Sequence, residues 1–203
     1  MSECSMNKRQ QQKEETKQRI IETARELFAR KSGFRDTSTL DVAKVAGVSH
    51  GSVFAHFATR EDLVFTIIES ELSLVISSFS GLVEKHENSE SITLEMVARY
   101  HIASLVGVEE IYKQSVMEYP HFSNESKMAF LSYYSALSEI FISVAKKSNL
   151  TTSVEYEKLF SVWISLLHHY LINADLYSDC DSVLEKKGSE IVALYLSLVT
   201  PRK

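Results

Sequence analysis

His50, Gly51 and Ser52 are consecutive in the chain. An imidazole can donate or accept a hydrogen bond and a hydroxyl can do both. A residue without Cβ lets the backbone come close to another surface. Placed on the first turn of a helix, the three make a face suited to reading base edges in a DNA major groove. Around them stand Thr37, Ser38, His56 and Arg60, whose hydroxyl, imidazole and guanidinium groups suit contacts to phosphates, which position a helix without reading sequence. Ser49 and Phe54 belong to the same run. Ser38 and Ser49 equally well cap helices, and that reading stays open for both. Lys44 is expected to be a solvated charge.

A second set of groups lies further along: Tyr100, His101, Tyr112, Phe130, Tyr133, Tyr134, Trp163 and His168, with Tyr119, Phe122, Phe141 and Tyr170 near them. Aromatic residues at helical spacing are usually plain core. Buried tyrosine and histidine tips need partners, however, so this many together predict a partly polar cavity for a planar or hydrophobic small molecule. Patterns for catalysis are lacking: there is no Gly-rich phosphate loop, no Gly-x-Ser-x-Gly and no His-Glu-x-x-His. His168 and His169 are adjacent, about 100° apart on a helix, and do not chelate as an i,i+4 pair would. The expectation is a protein that is not an enzyme and needs no metal or cofactor.

The elements that must position these residues are helices. Between Thr37 and Phe57, Ser38 and Asp41 form a capping box, Gly47 suits the positive φ that ends a helix, and Ser49 caps a second helix carrying Val53, Phe54 and Phe57. Two helices of about two turns joined by a short Gly-containing turn make a helix-turn-helix, whose second helix enters the major groove. Residues 1–13 are polar, lack apolar periodicity and are expected to form a disordered arm. A helix is expected from Glu14, with Ile20, Ile21, Ala24, Leu27 and Phe28 as its apolar stripe. After the helix-turn-helix, helices are expected from Arg60 to about Ser80, Ile92 to Val106, around Glu109 to Met117, Asn124 to Lys147, about Ser153 to Leu176, and from an opening at Asp181-Ser182 to Val199. Glu87 to Ser91 is expected to be a loop, and Pro120 a stop for the helix before it. No strand alternation occurs, and the fold class is all-α: a three-helix DNA-binding head over 14–73 and a helical body for effector binding and dimerisation over 74–203.

Composition sets the outer limits. The 203 residues are 44% hydrophobic and 24% charged, with only two prolines and six glycines, which suits a soluble helical protein. Two cysteines, Cys4 and Cys180, are too few for a disulfide framework, and no stretch approaches about 18 uninterrupted apolar residues. A cytoplasmic protein without a membrane partner is expected. The net charge of −5 is unevenly spread: residues 1–60 hold 11 Lys and Arg against 7 Asp and Glu, and the remainder 11 against 20. A basic head on an acidic body suits a protein whose head alone meets phosphates.

The N-terminal residues resemble the TetR family of one-component transcriptional regulators. The resemblance runs through Ile20-Ile21, Ala24, Leu27-Phe28, Gly33-Phe34, Thr37-Ser38, Val42-Ala43, Ala46-Gly47-Val48-Ser49, Gly51, Val53-Phe54, His56-Phe57 and Arg60-Glu61-Asp62-Leu63, a third of the chain. It implies a homodimer joined by the last two long helices, a palindromic operator in double-stranded DNA, and release from that operator when a small-molecule effector binds the body. Repression is the commoner mode in the family. Three departures stand out: Phe54 replaces the usual tyrosine and should pack rather than bond, Arg60 replaces the usual lysine, and one extra residue separates Phe28 from Gly33. An architectural DNA-binding protein without an effector is the competing reading.

Overall fold

The computed structural model describes residues 8–30, 33–86, 92–177 and 182–201. Cys4, Cys180 and the expected loop Glu87 to Ser91 lie outside the described residues. Every regular element among the described residues is helical. Nine helices of seven residues or more occur there: α1 (Lys8–Phe28), α2 (Thr39–Ala46), α3 (His50–His56), α4 (Arg60–His86), α5 (Leu94–Val106), α6 (Glu109–Glu118), α7 (Asn124–Lys147), α8 (Leu159–Ile172) and α9 (Val183–Val199). The chain divides into two compact units, Met1–Glu69 and Ser70–Lys203.

In the first unit, the head, α1 packs on α2 and α3. Ile20, Ala24, Leu27 and Phe28 of α1 meet Val42, Ala43 and Ala46 of α2 and Val53 of α3 in one buried core, closed by Phe34, Phe57 and Leu63. The Phe28 and Phe34 rings meet edge to face at 5.1 Å. Phe34 belongs to a single helical turn, Gly33–Asp36, that periodicity could not reveal. The α2–α3 turn has the geometry its sequence predicts. Ser38 and Asp41 form the capping box, and Gly47 takes φ 66°. The Val48 N–H then reaches back to the Ala43 carbonyl at 3.0 Å, the six-to-one bond that closes a helix C-terminus. Thr59 and Asp62 form a second capping box, which starts α4.

α1 begins at Lys8, not at Glu14, so residues 8–13 of the expected disordered arm are helical. The stretch lacks an apolar stripe but is built from Lys, Arg and Gln, all good helix formers. Bonds four residues apart, such as Gln11 to Glu15 at 3.0 Å, add to it.

In the second unit, the body, α9 packs on α5 and α8, and α8 packs on α6 and α7. Trp163, Leu167 and Leu171 of α8, Phe130, Leu137 and Phe141 of α7, and Ile191 and Tyr195 of α9 are fully buried in its core. α5 and α9 approach so closely at Gly188 that a Cβ there would stand 2.6 Å from Ile102 Cγ2. Two expectations fail around α8. Residues 153–155 are not helical; the Ser153 N–H and hydroxyl are drawn to the Val199 and Leu198 carbonyls at the end of α9. At the other end α8 stops at Ile172, and a separate turn, Ala174–Tyr177, follows Asn173.

By length and composition alone α7 could cross a membrane. Its buried residues recur at helical spacing, however, and the helix packs on α8, as an amphipathic core helix does.

Candidate nucleic-acid interface

The base-reading candidates stand on the first turn of α3. Ser49 caps that turn, accepting from the Ser52 N–H at 3.1 Å, and its hydroxyl lies 2.8 Å from that of Ser52. His50 is exposed; its Nε2 lies 3.0 Å from Thr39 Oγ1 on the first turn of α2, and its ring meets Phe54 edge to face at 4.9 Å. These contacts fix the imidazole between two helices. Gly51 is exposed, and the only atom that a Cβ there would approach within 4 Å is Ser49 Oγ, at 3.9 Å. Packing inside the chain does not call for a glycine at 51, so any demand for one comes from what the helix meets outside.

Phe54 departs from expectation. It is 46% exposed rather than packed into the head, because Val53 and Phe57 take the buried positions of α3 and its end. The outward face of α3 is therefore His50, Gly51, Phe54 and Ala55, with Ser52 half-buried beside them.

The phosphate-contact candidates surround this face. Arg60 donates from Nε to the Thr37 carbonyl at 3.2 Å, and its guanidinium lies 5.8 Å from the centre of the Phe28 ring. The structure thus pairs Arg60 with Thr37 across the head. Ser38 is committed to its capping box, which holds the Asp41 carboxyl below the usual carboxylate range through the Ser38 hydroxyl and then its backbone N–H. His56, the last residue of α3, is half-buried. Desolvation first, and then the ammonium groups of Lys13 and Lys17 on α1, hold its pKa below that of an ordinary histidine, while Glu14 acts in the opposite sense. Sequence alone does not single out these α1 lysines, because their neighbourhood to α3 depends on how α1 packs. Lys44 is exposed.

The aromatic candidates of the body form a closed polar core. Trp163 donates from Nε1 to His101 Nδ1 at 2.8 Å, which leaves the imidazole proton on Nε2, 3.4 Å from the Tyr133 hydroxyl. His168 Nε2 lies 3.0 Å from the Tyr112 hydroxyl and 3.3 Å from that of Tyr134. Phe130 meets Tyr134 edge to face at 6.1 Å. Desolvation, with a smaller contribution from His168, pushes the His101 pKa down to about 3, and desolvation pushes that of His168 down to about 4; both are neutral imidazoles. Among the described residues every buried side-chain nitrogen and oxygen has a partner. Tyr100 stands apart: its hydroxyl donates to the Ser78 carbonyl at 3.2 Å, and it lines an open cleft of about 430 Å³ with Glu71, Leu74, Val75, Ala103, Ser104 and Val108. The other seven candidates do not line that cleft. His168 and His169 belong to different networks, the latter 2.6 Å from the Tyr177 hydroxyl.

Residues 20–67 match the family described as bacterial regulatory proteins, tetR family. The HTH-type transcriptional regulator LuxR of Vibrio harveyi is 38% identical over 89 residues, which make up 44% of this chain and 38% of that protein. The chain spans less than half the length of the curated relatives it matches. Among solved structures, the Bacillus subtilis transcriptional regulator FadR in complex with stearoyl-CoA superposes with a TM-score of 0.68 at 16% identity, over 89% of this chain and 97% of that one. A transcriptional regulator from Saccharomonospora viridis in complex with choline gives 0.68 at 16% identity, over 93% and 100%. At such identities these likenesses concern the fold.

Proposed function

We propose that this chain, whose residues 20–67 match the tetR family of bacterial regulatory proteins and which takes the fold of such regulators, is a transcriptional repressor, released from a palindromic operator by a small hydrophobic or aromatic effector. The observation that carries this reading is the outward face of α3. His50 and Gly51 are exposed there beside Ser52 on the first turn of a capped helix, and no packing requirement of the head explains the glycine. His50 and Ser52 read base edges, and Thr37, His56 and Arg60 anchor the helix on phosphates.

Two copies of the chain would present two such helices to a two-fold operator. Support for a dimer comes from α9, whose Leu194 and Leu198 remain exposed although its opposite face is core. The likeness in fold to regulators holding stearoyl-CoA or choline supports an effector in the body. The core of Trp163, His101, Tyr133, Tyr112, Tyr134 and His168 is the proposed effector region. A ligand that binds better to an opened core shifts the population away from the DNA-binding form. The protein acts in the cytoplasm and has no catalytic step.

Selection of duplexes from a random pool, followed by footprinting, tests the head. Palindromic sites are expected, and broad coverage without a consensus would favour an architectural protein. His50→Ala with Ser52→Ala should relax sequence preference by about 1–3 kcal/mol for each base no longer read. Arg60→Ala should weaken binding to all sequences alike. A specificity change from Arg60→Ala alone would overturn these roles. For the body, thermal shift against acyl-CoA thioesters, choline and planar aromatic acids should reveal one stabilising class, and a body that responds to none counts against an effector.

A further inference from the structure

The first two turns of α1 have no packing role. Every residue from Lys8 to Glu15 is exposed, and the helix enters the core only at Ile20. Eight residues of helix extend about 12 Å at 1.5 Å per residue. Three basic residues, Arg9, Lys13 and Lys17, recur every four positions along this helix and so share one face. Four and seven residues further on, Lys17 is followed by Ile21 and Ala24, so the basic stripe continues the side that the head packs inward. The acids Glu15 and Glu22 are occupied instead by Gln11 and Gln18.

That stripe arrives at α3. α1 packs on α3, Lys17 and His56 are both half-buried there, and Lys13 and Lys17, with Glu14 opposing them, act on the His56 imidazole at the C-terminal end of α3. Among the described residues neither lysine is held in an ion pair. Three cationic or proton-accepting groups from two helices thus gather at the end of α3 away from His50, Gly51 and Ser52. A duplex seated on the first turn of α3 would carry its phosphates past this end.

We infer that Lys13 and Lys17 form, with His56, a second phosphate-binding site, through which the N-terminal half of α1 grips the DNA backbone beside the bases that α3 reads. The site rests on the proposal that α3 binds DNA. It contributes affinity and salt dependence, and no sequence preference, because an ammonium group meets every phosphate alike. The effective footprint of the head is then wider than the helix-turn-helix alone.

The test needs no operator. The full chain is titrated against a fluorescent 30-base-pair duplex of arbitrary sequence between about 50 and 200 mM salt. Lys13→Ala with Lys17→Ala should weaken binding about tenfold at the lowest salt and flatten the plot of log K against log salt by about 0.9 for each phosphate no longer neutralised. Alanine is the best helix former, so the double variant keeps α1, which far-ultraviolet circular dichroism checks. Lys13→Arg with Lys17→Arg should restore the slope. An unchanged slope in the alanine variant, with α1 intact, would overturn the second site while leaving the α3 reading standing. A wild-type chain with no affinity for any duplex would overturn both.

Discussion

The head and the body treat polar side chains in opposite ways. In the head, His50 and Gly51 stand exposed at the end of a helix whose apolar residues are already satisfied by the core. In the body, His101, Tyr112, Tyr133 and Trp163 are buried and bonded to one another or to His168. A polar face turned outward announces what it waits for, because its donors and acceptors are on view. A polar core turned inward is complete without a ligand and describes only itself. The same contrast explains why the head can be matched to a chemistry while the body can only be matched to a kind of behaviour.

Acidification should separate the two units most. Both buried histidines have folded-state pKa values below the ordinary 6.5, about 3 for His101 and about 4 for His168. Below pH 6.5 the unfolded chain binds protons that the folded body refuses. Stability is therefore present above that pH and falls as pH drops toward those values, by about 1.4 kcal/mol per pH unit for each histidine. Trp163 is the only tryptophan and lies in the body, so urea unfolding followed by its fluorescence reports this directly. A midpoint that does not move between pH 7 and 5 would contradict a neutral, unprotonatable core.

The next largest effect should come from Glu109→Gln. The Glu109 carboxylate, buried at the start of α6, accepts from the Ser182 hydroxyl and from the Val183 and Leu184 N–H groups at the start of α9. An amide has one acceptor oxygen where the carboxylate has two, and it lacks the charge that both helix N-termini favour. A loss of about 1–3 kcal/mol is expected in the same fluorescence assay.

Smaller again, Ser38→Ala removes the α2 cap and should cost the head about 1 kcal/mol, read as a lower thermal midpoint by circular dichroism. Smallest in stability, His50→Ala should stay within about 0.5 kcal/mol while changing sequence preference, since its side chain is exposed. A large destabilisation by His50→Ala would erase the contrast between a displayed face and a structural core.

The helix-turn-helix is legible in the sequence because each part depends on residues at most a few positions apart: Ser38 with Asp41, Gly47 on its own φ, Ser49 with Ser52. The exposure of Phe54 is not legible, because it depends on which α3 positions the α1 core claims. The start of α8 escapes local reading for a similar reason, since Ser153 bonds to the end of α9, 45 and 46 residues away in sequence. The aromatic residues of the body can be grouped from their spacing, but their closure on one another cannot. Trp163 meets His101 across 62 residues, and Tyr112 meets His168 across 56.

The approach of α5 to α9 at Gly188 has a further consequence for how this chain can vary. A methyl group at 188 would need room that Ile102 Cγ2 already fills, on a β-branched side chain that cannot swing aside cheaply. Changes at the two positions must therefore arrive as a pair, a smaller residue at 102 before or with a larger one at 188. Among relatives that keep this helix pairing, the two sites should drift together, and a single exchange at 188 should be rare.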